Sequence, residues 1–213
     1  MKPLRVLLAD DHEVVRQGLR ALLERHGFTV VAEASDGRKA VELATTLRPD
    51  VAVLDVAMPV LNGVDAASEI ARVTPAIRVI LLTALRDVEF VSGALRAGVR
   101  GFVTKGQDIE DLVHAIQDVS HGGMYVSPGV SQAVLDAVKT AAPDGAPAPG
   151  LSRRERQVVQ LVAEGKSTKQ IAELLKISAK TAEFHRGRIM EKLNIHDTAG
   201  LVRYAMREGL IAP

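Results

Sequence analysis

Polar side chains follow several of the short apolar segments in the first half of the chain. The residues at these segment ends are, in chain order, Asp10, Asp11, Asp55, Thr83 and Lys105. In an open parallel α/β sheet, ligands bind at the carboxyl ends of the strands. If the segments are strands of one such sheet, we expect three carboxylates, a hydroxyl and an ammonium group to lie close together at one edge.

This combination of groups is suited to phosphoryl transfer. Clustered carboxylates repel one another unless a cation compensates them, and hard oxygen ligands suit Mg²⁺. A metal beside phosphoryl oxygens, with a lysine as a point charge, is what phosphoryl transfer needs. A single aspartate at a strand end is more often a turn or cap residue, which is the role we expect for Asp36, Asp50 and Asp87. We interpret His12 as a first-turn helix residue rather than a metal ligand.

Alternating strands and helices must position these groups. Apolar runs rich in Val, Ile and Leu predict strands at Arg5–Asp10, Thr29–Ala34, Val51–Asp55, Ile77–Thr83 and Gly101–Thr104. Helical periodicity predicts helices near Glu13–Arg25, Arg38–Leu47, Val64–Ala71, Val88–Ala97 and Ile109–Ser120. Five strands alternating with five helices indicate a doubly wound parallel sheet, and continuously apolar strands favour burial of both its faces.

A segment rich in Ala, Pro and Gly, Lys139–Gly150, predicts a semi-extended linker that divides the chain. We therefore expect an α/β domain over residues 1–122, a connecting helix and linker over 123–150, and a second domain over 151–213. The net charge of +1 hides an asymmetry, because residues 1–150 carry a net charge of −4 and residues 151–213 carry +5. This pattern favours contact of the second domain with a polyanion.

Composition excludes several classes of site and protein. The 213 residues include no cysteine, which excludes disulfides, cysteine nucleophiles and thiolate metal sites. The first apolar run ends in two aspartates and is too short for a signal peptide or membrane span. We therefore expect a cytoplasmic protein.

The first domain resembles the receiver domain of response regulators from about Leu4 to His121. The resemblance is carried by Asp10-Asp11, by Asp55-Val56-Ala57-Met58-Pro59 with Asn62-Gly63, by Leu82-Thr83-Ala84, and by Phe102 three residues before Lys105. It implies a flavodoxin-like fold with strand order 2-1-3-4-5.

The resemblance also implies a role for each matching residue. Asp55 would accept a phosphoryl group from a histidine kinase. Mg²⁺ would be held by Asp10, Asp11, Asp55 and the carbonyl of Ala57. Thr83 and Lys105 would contact the phosphoryl group, and Phe102 would be the switch aromatic that turns inward on activation.

After the linker the pattern is helical only. Helices are predicted near Arg153–Glu164, Thr168–Leu175, Ala179–Leu193 and Thr198–Glu208. Capping boxes are expected at Ser152 with Glu155 and at Ser167 with Gln170, and Ser178 and Asp197 are further N-cap candidates. Only three residues separate the second and third helices, which predicts a helix-turn-helix.

Residues 151 to about 211 resemble the DNA-binding domain of the LuxR type, so that the whole chain resembles the NarL/FixJ group of regulators. The resemblance makes the following residues candidates for DNA contact: Thr168, Lys169, Lys180, Thr181, His185, Arg186 and Arg188. The chain departs from the family pattern at Thr168, which replaces the usual Asn, and at Ala182, which replaces the usual Val.

The outer face of the third helix should enter the major groove. Ala182, Ile189 and Leu193 share its inner face, and the outer face is formed by Lys180, Phe184, Gly187 and Glu191, flanked by Glu183 and Arg188. Glu183 stands where many relatives have Lys and could accept from cytosine N4. We hypothesise that Glu183 and Phe184 dominate base discrimination; alternatively, Glu183 pairs with Arg186 or Lys180 on a solvated helix.

These features together predict a phosphorylation-gated transcription regulator, acting as a homodimer on double-stranded DNA, with apolar residues of the last helix as a candidate dimer contact. We do not expect an enzyme with an external substrate. Two alternatives stay open: a constitutive DNA binder, and a phosphorelay or protein-interaction module whose basic domain binds something other than DNA. The sequence leaves open whether the two domains dock.

Overall fold

The computed structural model describes residues 3–83, 88–105, 109–140 and 151–211. Asp87, Ala84 and the linker residues after Thr140 lie outside these ranges, so the expectations for them are not addressed. Within the described ranges, no helix combines the length and the apolarity needed to cross a membrane.

The first half of the chain alternates strands and helices as predicted, with boundaries that differ from the predicted ones by at most two residues. Its elements are β1 (Arg5–Ala9), α1 (Glu13–Arg25), β2 (Thr29–Ala34), α2 (Gly37–Leu47), β3 (Val51–Asp55), α3 (Gly63–Val73), β4 (Arg78–Thr83), α4 (Val88–Arg96), β5 (Gly101–Thr104), α5 (Ile109–Ser120), β6 (Tyr125–Val126) and α6 (Pro128–Thr140).

The strands form one parallel sheet in the order β2-β1-β3-β4-β5-β6. The predicted order of the first five strands is confirmed, but the prediction of five strands is wrong, because β6 extends the sheet. The backbone N–H of Tyr125 donates to Arg100 and that of Ser127 to Phe102, which fixes β6 beside β5. A two-residue strand after Gly122 and Gly123 is too short to show any periodicity.

Both faces of the sheet are covered, as the apolar strands predicted. Leu23 of α1 and Ile116 of α5 belong to the core cluster on one face. The cluster on the other face contains residues of α2, α3, α4 and α6. The connecting helix α6 therefore packs on the α/β part of the chain.

The second half is a bundle of four helices: α7 (Arg153–Ala163), α8 (Thr168–Leu175), α9 (Ala179–Leu193) and α10 (Thr198–Arg207). Both predicted capping boxes form, at Ser152 and Ser167, and Ser178 and Asp197 cap α9 and α10. These side chains fix the helix starts because each satisfies a backbone N–H group that has no partner within the helix. The turn between α8 and α9 includes Lys176 in the left-handed conformation, with φ of 54°.

Candidate functional site

The predicted acidic site forms at the carboxyl ends of β1, β3 and β5. The Nζ atom of Lys105 lies 2.8 Å from Oδ1 of Asp55 and 3.1 Å from Oδ2 of Asp10. The side chains of Asp10 and Asp55 are only 1% and 4% exposed, whereas Lys105 is 31% exposed. A lysine that reaches the edge from solvent thus pairs with two buried carboxylates at once.

The ligand atoms at this edge fit a small divalent cation. Asp10, Asp11, His12 and Asp55 each offer one such atom, and these atoms all lie within 4.8 Å of one another. Three carboxylates supply the hard oxygen ligands that Mg²⁺ prefers. His12 is the N-cap residue of α1 rather than a first-turn residue, and its Nδ1 atom lies 2.8 Å from Oδ1 of Asp11.

Burial and charge act in opposite directions on Asp55 and Lys105. Burial raises the pKa of the Asp55 carboxyl above its ordinary value, although the hydrogen bond and charge of Lys105 partly oppose this rise. Burial by itself would lower the pKa of Lys105, but the carboxylates of Asp55 and Asp10 outweigh it and raise that pKa. The lysine is therefore held in its charged form.

Thr83 and Phe102 lie behind this edge. Thr83 ends β4 and is fully buried, and its backbone carbonyl accepts from the N–H of Lys105. Phe102 is also fully buried, in the cluster that contains Val91 of α4 and Val130 of α6. The side chain is therefore already enclosed in this structure, and its inward turn on activation stays a prediction.

The β3–α3 loop, residues 56–62, leads from Asp55 to α3 and is tightly fixed at both ends. The N–H of Gly63 donates to the carbonyl of Val56 at 2.8 Å, and a Cβ atom on Gly63 would lie 2.1 Å from the carbonyl oxygen of Asp55. Only glycine fits there. Asn62 caps α3 by accepting from the N–H of Asp65 at 2.9 Å.

Sequence reasoning missed a contact between this loop and α7 of the helical half. Gln160 is fully buried, and it bonds the backbone of Met58 and Asn62. Glu164 accepts from the N–H of Val60 at 2.9 Å. The two halves are therefore docked in this structure, a question that the sequence left open.

The outer face of α9 is exposed as predicted. Ala182 and Ile189 are buried on the inner face, and Leu193 is partly buried. Phe184 is 60% exposed, and the guanidinium of Arg188 lies 5.7 Å from the centroid of its ring. This face therefore carries a large apolar side chain that the helical core does not cover.

The remaining candidates for DNA contact lie on or beside the same surface. Glu183 has no ion-pair partner among the described residues, and Arg186 donates to Thr198 instead, at 2.7 Å. The hydroxyl of Thr181 lies 2.8 Å from that of Ser178, next to the start of α9. The exposed candidates are Lys169, Lys180, Glu183, Phe184, Gly187 and Arg188, and the half-buried ones are Thr168, Thr181, His185 and Arg186.

Two family models match the chain. One, described as "Response regulator receiver domain", matches residues 6–117, and the other, "Bacterial regulatory proteins, luxR family", matches residues 149–205. Together they span both halves of the chain and fall on either side of α6.

Relatives that match over nearly their whole length are response regulators. Response regulator GacA of Pseudomonas aeruginosa is 36% identical over 211 residues, which cover 98% of each chain. Response regulator UvrY of Escherichia coli K12 is 36% identical over 212 residues, which cover 97% of this chain and 95% of UvrY.

Solved structures are similar as well. RcsB of Salmonella enterica serovar Typhimurium, bound to promoter P1flhDC with the phosphomimetic BeF3-, is 27% identical with a TM-score of 0.64, covering 94% of this chain and 97% of RcsB. A LuxR-family response regulator from Aurantimonas is 36% identical with a TM-score of 0.60, covering 64% of this chain and 99% of that one. The chain therefore belongs to the two-component response regulators of the NarL/FixJ group, and it is a transcription regulator with a receiver domain followed by a LuxR-type DNA-binding domain.

Proposed function

We propose that Asp55 is the phosphoacceptor of this regulator and that its phosphorylation controls DNA binding. The observation that carries the proposal is the buried pair of carboxylates, Asp10 and Asp55, joined by Lys105 at hydrogen-bond distance. Such a site holds an acceptor carboxylate beside a fixed positive charge, which favours the arrival of a phosphoryl group.

Phosphoryl transfer at this site begins with attack by a carboxylate oxygen of Asp55 on the phosphorus of the donor. The new O–P bond forms as the N–P bond of a phosphohistidine breaks, and the imidazole leaves with the electron pair. Lys105 stays charged and stabilises the added phosphoryl oxygens, and the Thr83 hydroxyl is the second group that would contact them.

Mg²⁺ would be held at this edge by Asp10, Asp11, Asp55 and the carbonyl of Ala57. The metal would supply charge neutralisation for the phosphoryl oxygens. A phosphoryl group adds nearly two negative charges at Asp55. In response, the side chains of Thr83 and Phe102 would change position. The donor in this scheme is a sensor histidine kinase, and the receiver itself has no external substrate to turn over.

The DNA-binding domain would place the outer face of α9 in the major groove of double-stranded DNA. Glu183, Phe184 and Gly187 would face the base edges. The phosphate backbone would be contacted or approached by the remaining candidates: Thr168, Lys169, Lys180, Thr181, His185, Arg186 and Arg188. The RcsB relative bound to a promoter supports this use of the domain. The proposed regulator forms a homodimer on phosphorylation and works in the cytoplasm, and RcsB dimers bound to DNA support the dimer.

The proposal is tested with a small phosphodonor and Mg²⁺ on the wild type and on Asp55→Asn. We expect a mass increase of one phosphoryl group, dimerisation and tighter DNA binding for the wild type and none of these for Asp55→Asn. The matched control is Asp118→Asn, the same change at an exposed position on α5, which should behave as the wild type. If Asp55→Asn is phosphorylated equally, the acceptor assignment is wrong.

The DNA-binding half of the proposal has its own test. Affinity for a DNA duplex should fall steeply as salt rises, because contacts with phosphates release counterions. Binding that ignores salt would contradict a phosphate-reading surface. Equal affinity with and without phosphorylation would instead favour a constitutive DNA binder.

A further inference from the structure

A polar interface joins the DNA-binding domain to the receiver. Helix α7 and its C-cap residue Glu164 contact first α3 and then the β3–α3 loop, so that the two segments run in opposite chain directions. The interface is reversible in character, since it depends on hydrogen bonds and ion pairs rather than on a shared apolar core. Its contacts are Arg153 with Ser68, Arg156 with Asp65 at 3.1 Å, Gln157 with Glu69 at 3.3 Å, Gln160 with Asn62 at 3.0 Å, and Glu164 with Val60 at 2.9 Å.

Gln160 uses both ends of its carboxamide on the β3–α3 loop. Its Nε2 atom donates to the carbonyl of Met58 at 2.8 Å, and its Oε1 atom accepts from the backbone N–H of Asn62 at 3.0 Å. Because Gln160 is fully buried, removal of these bonds would leave polar groups without partners. The carboxamide therefore bridges two points of the loop four residues apart.

Val60, between those two points, has an unfavourable backbone conformation. Its φ of 68° lies in the left-handed region, which a β-branched side chain strongly disfavours. Its N–H donates to Oε1 of Glu164 at 2.9 Å, and the same oxygen accepts from Nε2 of Gln160 at 2.9 Å. Such a conformation persists only when its surroundings hold it, and here the surroundings include α7.

The loop held in this way is the segment that carries the phosphoryl chemistry. It begins at the residue after Asp55 and contains Ala57, whose carbonyl would help to hold Mg²⁺. Its last residue, Asn62, caps α3, and the following glycine lies against the carbonyl of Asp55. A change in the middle of the loop is therefore transmitted to the acceptor residue.

We propose that Gln160 and Glu164 are positioning residues for the β3–α3 loop, through which the docked DNA-binding domain slows phosphoryl acceptance at Asp55. This inference depends on the proposed function, because it requires Asp55 to be the acceptor. The two side chains hold Val60 in its strained conformation, and undocking of α7 frees the loop to rearrange. If undocking favours the phosphorylated form of Asp55 by some free energy, then by linkage phosphorylation must weaken docking by that same free energy.

Full-length variants with a small phosphodonor and saturating Mg²⁺ test the first half of this inference. Gln160→Leu and Glu164→Ala should each raise the initial rate of Asp55 phosphorylation by about fivefold or more, the change in rate that corresponds to about 1 kcal/mol in the barrier. Glu164→Gln keeps an acceptor oxygen for the Val60 N–H and should retain the wild-type rate. Glu173→Ala, an exposed change on α8, is the control for the DNA-binding domain.

The outcomes separate this inference from the proposed function. If the wild type is phosphorylated at Asp55 and both Gln160→Leu and Glu164→Ala react at the wild-type rate or more slowly, the inference is wrong while the acceptor assignment stands. If no variant is phosphorylated and Asp55→Asn behaves as the wild type, the proposed function fails. Thermal melts by circular dichroism identify any variant that does not fold. If Gln160→Leu does not fold, the comparison of Glu164→Ala with Glu164→Gln tests the inference instead.

A double-mutant cycle tests the role of Val60. Val60→Gly removes the penalty of the left-handed conformation, so that the loop keeps its docked form without help from α7. Gln160→Leu should then accelerate phosphorylation less in the Val60→Gly background than in the wild type. Equal acceleration in both backgrounds would contradict the strain argument.

Distance measurements test the reverse direction. The chain has no native cysteine, so spin labels at Val73→Cys and Leu174→Cys, exposed positions on α3 and α8, report only the separation of the domains. Beryllofluoride with Mg²⁺ should shift the wild type to longer distances, and Gln160→Leu should show those distances without it. A distribution that beryllofluoride leaves unchanged would overturn the linkage.

Discussion

The two functional surfaces of this regulator hold their polar groups in opposite ways. At the receiver edge, Asp10 and Asp55 are buried and paired with Lys105 before any ligand arrives. On the outer face of α9, Glu183 and Phe184 are exposed to solvent. In the proposed function, the first surface would exchange existing interactions for those with its ligand, whereas the second would gain interactions that it does not have now.

This difference decides where mutations should act. At the receiver edge, stability and chemistry depend on the same atoms, so that a change in one alters the other. On α9, the inner face packs in the core of the domain, and the outer face is the surface proposed for recognition. Docking through α7 joins the two domains without any described hydrogen bond or ion pair between the outer face of α9 and the receiver.

The largest effect is expected on the inner face of α9. Ile189 is fully buried in the core of the DNA-binding domain, so Ile189→Ala should cost about 3–4 kcal/mol through lost burial and a residual cavity. Urea unfolding of the full chain, followed by circular dichroism, measures the loss in the transition of this domain. Glu191→Ala, on the exposed face of the same helix, should change stability by less than about 0.5 kcal/mol. Similar costs for both would contradict the division of α9 into two faces.

A second, smaller loss of stability is expected at the acidic site. Lys105→Met leaves the buried Asp10 and Asp55 facing each other without a cation, and should lower the free energy of unfolding by about 2–3 kcal/mol in the absence of divalent metal. Added Mg²⁺ should recover part of the loss, because the cation replaces the missing charge. Lys39→Met, at a position that is 54% exposed, provides the control. A Lys105→Met protein as stable as the wild type without Mg²⁺ would show that the lysine does not compensate these carboxylates.

The sequence predicted the acidic site because topology alone brings it together. Parallel strands place their carboxyl ends at one edge, so Asp10, Asp55 and Lys105 had to meet once the strands were in the predicted order. The helix starts in the second half were predictable for a similar local reason, since Ser152 and Ser167 act on residues three positions away.

The features that were missed depend on distant partners or on very short segments. Gln160 contacts a loop 98 residues earlier in the chain, and a glutamine in an amphipathic helix gives no sign of such a partner. The left-handed conformation of Val60 opposes the local preference of valine, so that only the tertiary contacts account for it. Strand β6 has two residues, fewer than any periodic pattern requires.

Recognition by the outer face of α9 should change without a change in stability. Glu183→Ala should alter discrimination at one base pair by about 1–2 kcal/mol, on the order of tenfold, because the carboxylate would no longer accept from cytosine. Selection of bound sequences from a random duplex pool measures the ranking. Glu173→Ala on α8 is the matched loss of an exposed carboxylate. An unchanged ranking for Glu183→Ala would support a solvated Glu183 that reads nothing.

The smallest effect is expected from pH, and it tests whether docking depends on Glu164. Burial at the interface raises the pKa of Glu164 above its ordinary value, helped by Asp36 and opposed by Gln160, the Val60 N–H and Lys166. The docked state therefore favours the protonated form. Docking should be strongest below the ordinary pKa of 4.5, weaken as pH rises through the raised pKa, and then level off.

The same pair of spin labels measures this dependence as the docked fraction against pH. Glu164→Gln removes the titrating group but keeps an acceptor for the Val60 N–H, so its docked fraction should not change over that range. Glu164→Gln retains every carboxylate of the receiver, which makes it the internal reference. A wild-type profile that follows Glu164→Gln at every pH would show that the carboxylate against Val60 has no part in the pH dependence of docking.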